Sequence, residues 1–65
     1  MWVEFMTVDN AYVAETWREL FAAEGLSVRV VPPVGRGEDV AMLAPRTLYV
    51  PSGKAHVARE ILRKI

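Results

Sequence analysis

Residues 2–31 read WVEFMTV-DN-AYVAETWRELFAAE-G-LSVRVV, and the order of patterns in this stretch decides the fold. The first seven are rich in β-branched and aromatic side chains, as a strand requires. Strict alternation sends Val3, Phe5 and Thr7 to one side and Trp2, Glu4, Met6 and Val8 to the other. Asp9 and Asn10 then interrupt, and either side chain can accept an orphan N–H at a helix start. Over residues 11–24 the apolar positions Val13, Trp17, Leu20 and Phe21 recur at helical spacing, with Ala14 between them. Glu15, Arg18 and Glu19 fall on the far side, where Glu15 and Arg18 can pair at i, i+3. Gly25 supplies the left-handed residue that closes such a helix. Residues 26–31 form a second strand, with Val28 and Val30 on one face and Ser27, Arg29 and Val31 on the other.

Working outward, Pro32-Pro33 ends that strand because proline cannot donate to a ladder. Within the following loop, residues 40–43 are apolar enough for either a short strand or a turn of helix. Thr47 to Val50 is the third strand, with Leu48 and Val50 facing together, and Pro51 closes it. Ser52 can cap a final helix whose apolar stripe is Val57, Ala58, Ile61, Leu62 and Ile65. Two helices and three strands in the order βαββα predict an α+β two-layer sandwich of ferredoxin-like topology without its fourth strand. The right-handed crossover rule places both helices on one face of a three-stranded antiparallel sheet. Strand three then lies between strands one and two, and strand one is an open edge.

The 65 residues make one domain, 1–65. A chain this short buries only about 60% of its unfolded surface, so a supplement to its core is expected. There is no cysteine and His56 is the one histidine, which excludes disulfides and leaves no ligand set for structural zinc. Oligomerisation is the remaining supplement, with a dimer the first expectation. A formal net charge of zero argues against a nucleic-acid partner. The charge is unevenly spread: residues 1–45 carry three basic and seven acidic side chains, and residues 46–65 carry five basic and one acidic. Two oppositely charged surfaces on one domain, or association through them, would follow. No apolar run approaches the ~18–20 residues of a membrane span, so no membrane partner and a cytoplasmic location are expected.

The sheet face away from the helices is expected to carry Trp2, Met6, Val31 and Tyr49, interspersed with Glu4, Arg29 and Thr47. Such a patch, beside an open edge, points to self-association. Candidate chemistry is sparse. Gly35-Arg36-Gly37-Glu38-Asp39 lacks the third glycine and the strand–helix context of a phosphate loop, and reads as a flexible hairpin loop. The loop from Val34 to Arg46 is nevertheless long enough to touch a protein partner. Ser52-Gly53-Lys54 opens the last helix, where free N–H groups and a lysine suit an anion, although any capped helix start looks the same. Glu38 and Asp39 share a loop, Glu15 and Glu19 share a solvent face, and Ser27 and Ser52 have no base to activate them. No catalytic residue, metal ligand or cofactor site is expected, and the chain is not read as an enzyme.

A likeness emerges from the helices. Ala14-Glu15 followed by Trp17, Leu20-Phe21, Glu24-Gly25-Leu26 and Val28, and then Val50-Pro51 with Ala58-Arg59-Glu60-Ile61-Leu62, resembles a family of small prokaryotic signal-transducing proteins. The likeness covers nearly the whole chain except residues 34–46. It implies a fold of the PII-like, ferredoxin-like superfamily and brings no catalytic residues with it. PII regulators bind nucleotide between subunits and signal through a long loop after the second strand. Here that loop is short and no fourth strand follows. A regulatory or interaction module without catalysis is therefore the first expectation. A small-ligand or nucleotide sensor, with its site at a subunit junction near Ser52, is the alternative.

Overall fold

The computed structural model describes residues 1–31 and 42–65. Its elements are β1 (Trp2–Val8), α1 (Ala11–Ala23), β2 (Arg29–Val31), β3 (Arg46–Pro51), a 3-10 turn (Ser52–Lys54) and α2 (Ala55–Lys64). The fold is α+β.

Helix α1 begins and ends for local reasons. Asn10, rather than Asp9, is its cap: Oδ1 accepts the Val13 N–H at 2.9 Å, satisfying a donor that has no partner inside the helix. At the other end Gly25 has φ +86°. Its N–H donates to the Ala22 carbonyl, and the Leu26 N–H donates to the Phe21 carbonyl, both at 2.9 Å. These are the two bonds of a Schellman closure, and Leu26 and Phe21 also meet in the core, as that motif favours. A Cβ on Gly25 would meet nothing within 4 Å, so its substitution is opposed by backbone conformation alone. Gly25→Ala is expected to cost about 1–2 kcal/mol in urea unfolding, and Gly25→Asn less. Along the exposed side Arg18 Nη2 donates to Glu15 at 2.6 Å. That hydrogen bond holds the Glu15 carboxyl below its ordinary pKa, but both groups are solvated and the pair adds little stability.

The strands make one antiparallel sheet in the order β1-β3-β2. Val3 pairs with Val50 and Glu4 with Tyr49, but Met6, not Phe5, pairs with Leu48. Phe5 is thus an extra residue, a bulge, and it reverses the facing of everything after it. Phe5 and its neighbour Met6 both turn to the core side. Phe5 meets Phe21 edge-on at 6.0 Å between ring centres, and Met6 packs on Val8, Ala14 and Leu48. This corrects the expectation from alternation, which set Met6 and Val8 beside Trp2 and turned Thr7 inward. Thr7 instead pairs with Thr47, and their hydroxyls lie 3.4 Å apart on an exposed surface.

Two clusters fill the interior. In the first, Phe21 and Leu26 meet Val50, Ala58 and Ile61, with Trp17 stacked on Phe21 at 5.8 Å between ring centres. The second holds Val8, Ala14 and Leu48, and Trp17 and Val28 touch both. The inward line of α1 is therefore Ala14, Trp17 and Phe21, while Val13 is exposed. Ile65, expected in the α2 stripe, lies past the helix end and is exposed.

Three local expectations are revised. The second strand starts at Arg29 and not at Leu26, because Leu26 is drawn into the core by the helix closure. Ser52 caps nothing with its side chain: it starts the 3-10 turn, and its N–H donates to the Met1 carbonyl at 2.7 Å. Of residues 40–43, Val40 and Ala41 lie outside the described residues, and Met42 and Leu43 form a turn. Arg46 is buried opposite Val8, with Nη1 donating to the carbonyls of Ala44 and Pro45 at 2.7 and 3.2 Å.

Candidate self-association face

Register settles which side chains share the surface opposite Val3, Leu48 and Val50. Paired residues of antiparallel strands point to the same side. One row across the sheet is Glu4, Tyr49 and Arg29; the next is Thr7, Thr47 and Val31; and Trp2 lies opposite Pro51. Trp2, Tyr49 and Val31 of the expected patch are thus on one face, and Met6 is not. Thr7 takes its place.

On this face Trp2 remains 37% exposed, while Tyr49 and Val31 are half-buried. Part of that cover comes from Arg29, whose guanidinium carbon sits 4.7 Å from the centre of the Trp2 ring. Arg29 starts on β2 and Trp2 on β1, so the two side chains meet across the central strand. The contact is a cation–π interaction. No sequence pattern pairs residues 2 and 29; only the strand order brings them within reach. Among the described residues Glu4 has no ion-pair partner: the ion pairs are Glu15–Arg18, Glu60–Arg63 and Glu24–Lys64.

The other candidates are placed as follows. Ser52, Gly53 and Lys54 are exposed in the 3-10 turn before α2, and His56 is exposed in the first turn of that helix. No buried side-chain nitrogen or oxygen among the described residues is left without a hydrogen-bond partner, at this turn or elsewhere. Among the described residues no group of His, Asp and Glu could hold a metal ion. An open groove of about 390 Å³, which sequence reading did not foresee, is lined by Arg18, Ala22, Gly25, Leu26, Ser27 and Val28. Its one charged side chain, Arg18, is already engaged by Glu15. Of the expected partner-contacting loop, residues 34–41 lie outside the described residues. Its described part carries exposed Met42 and Leu43, tied to α1 by the Ala11 N–H donating to the Met42 carbonyl at 2.8 Å. No described helix is long and apolar enough to cross a membrane.

Compared with known proteins, the chain matches no family model, no curated protein and no solved structure.

Proposed function

We propose that this chain is a non-catalytic regulatory or interaction module that self-associates through its sheet, most simply as a dimer. The observation carrying the reading is the outward face itself. It presents Trp2, Tyr49 and Val31 with little charge, on a chain too small for a large core. We further propose a ferredoxin-like layout with both helices on the opposite side. It is supported by Phe21 of α1 and Ile61 of α2 sharing one cluster with Val50, and by Lys64 reaching Glu24 at 3.7 Å. A PII-like relationship and a prokaryotic setting rest on the resemblance in Ala14-Glu15, Glu24-Gly25-Leu26 and Val50-Pro51, and a cytoplasmic location on the short apolar runs of the sequence. The exposed Met42 and Leu43 turn is where a protein partner would engage the loop.

Sedimentation of the purified protein tests the association. The wild type is expected to sediment above the 7.3 kDa protomer mass, and Trp2→Ser or Tyr49→Ser is expected to lower that mass toward it. An unchanged mass in both variants would remove this face from the reading. Thermal melts with nucleotides separate the sensor alternative. A ligand at about 100 times its Kd adds about 2.7 kcal/mol, whereas an interaction module shows no shift with any of them.

A further inference from the structure

Only two of the outward residues named above are charged, Glu4 and Arg29, and they have opposite sign. They end the same row, one on each edge strand, with Tyr49 between them. Two strand spacings, about 10 Å, separate their backbones. Neither is in an ion pair with a described residue. The Arg29 guanidinium carbon lies 4.7 Å from the Trp2 ring centre, and a cation–π contact uses none of the N–H donors that a carboxylate would accept from.

From this arrangement we infer that two copies of the chain meet face to face about a two-fold axis, Glu4 of each against Arg29 of the other. The inference rests on the self-association reading above and adds to it the partner, a second copy, and the pairing. In a two-fold interface residue i meets j and j meets i, so one acid and one base on a single patch generate two ion pairs. Stacked sheets lie about 10 Å apart, a gap that glutamate and arginine side chains bridge from opposite sides. Edge-to-edge extension through β1 is the competing geometry. The bulge at Phe5 opposes it by breaking the regular ladder in the middle of that edge.

The test uses the charge reversals Glu4→Arg and Arg29→Glu, with circular dichroism to show that each is folded. Each variant alone sets like charges opposite each other twice, and its self-association is expected to weaken at least about tenfold. A one-to-one mixture should recover near-wild-type association as a heterodimer, identified by its intermediate mass in native mass spectrometry, because its two pairs, one native and one reversed, are then both complementary. Changes within one protomer cannot produce that recovery. Singles as strong as wild type, or a mixture no stronger than its components, overturn the pairing. If Tyr49→Ser dissociates the protein while the charge variants stay associated, the face stands and this pairing fails. A wild type that is monomeric at its highest soluble concentration sinks both. Should a reversal not fold, Glu4→Gln and Arg29→Gln replace it. Each should weaken association, and the double variant should be no weaker than either single; additive losses count against the pair.

Discussion

Phe21→Ala is expected to remove about 3–5 kcal/mol of folding stability, the largest loss from any single truncation in this chain. Phe21 is fully buried and joins both helices to the sheet, through Val50 of β3 and Ala58 and Ile61 of α2. Its ring is held on two sides, by Trp17 stacked at 5.8 Å and Phe5 edge-on at 6.0 Å. Truncation leaves those two rings facing a void that neither can fill while α1 stays anchored by Asn10 and Gly25. The scale of the loss matters because stability of roughly 0.05–0.15 kcal/mol per residue leaves a 65-residue chain only about 3–10 kcal/mol. The variant should therefore be substantially unfolded at 37 °C. Urea titration followed by far-ultraviolet circular dichroism, at one fixed protein concentration, measures it. A midpoint shift worth under about 1 kcal/mol would mean that Phe21 is not the centre of the core.

Leu48→Ala should cost about 2–5 kcal/mol, through a different cluster. Leu48 is fully buried at the middle of the central strand, paired with Met6 on one side and Val30 on the other. It also packs against Val8 and Ala14, so its truncation opens a gap beneath α1 and both edge strands at once. The neighbouring Thr47 is the control. Its side chain points outward, its hydroxyl 3.4 Å from that of Thr7, and Thr47→Ala is expected to cost under about 1 kcal/mol. A large difference between adjacent positions is what alternation along β3 demands. Equal losses at 47 and 48 would contradict the register.

The bulge shows how sequence reading can be right about a strand and wrong about its faces. Trp2–Val8 was predicted with its observed bounds. Strict period-2 counting nevertheless placed Met6 outward, because a one-residue insertion cannot be seen in a strand taken alone. The adjacent apolar pair Phe5-Met6, followed by Thr7 and Val8, is the trace it leaves: with one of the pair counted as extra, the inward set becomes Val3, Phe5, Met6 and Val8. Proof of the extra residue comes from β3, whose Leu48 and Tyr49 are adjacent while their partners Met6 and Glu4 are not. The buried Arg46 is a similar case. A charged residue at the end of a loop reads as surface, and its burial follows from standing opposite Val8 with carbonyls of Ala44 and Pro45 in reach of its guanidinium.

For the candidate face, Trp2, Val31, Tyr49, Glu4 and Arg29 were legible because β2 and β3 are regular and Trp2 and Glu4 precede the bulge. The Arg29–Trp2 contact was not, since the two residues are far apart in sequence and only strand order closes the distance.

By itself, then, the amino-acid order determined the kind and order of the elements, the bounds of β1 and both ends of α1, because an asparagine cap and a glycine closure act through bonds to near neighbours. The folded chain alone decided which side of β1 faces the core after Phe5 and which ring Arg29 meets. Those depend on pairing between distant segments, whose register is set by burying Leu48 and Val50 and not by anything local to the strands they join.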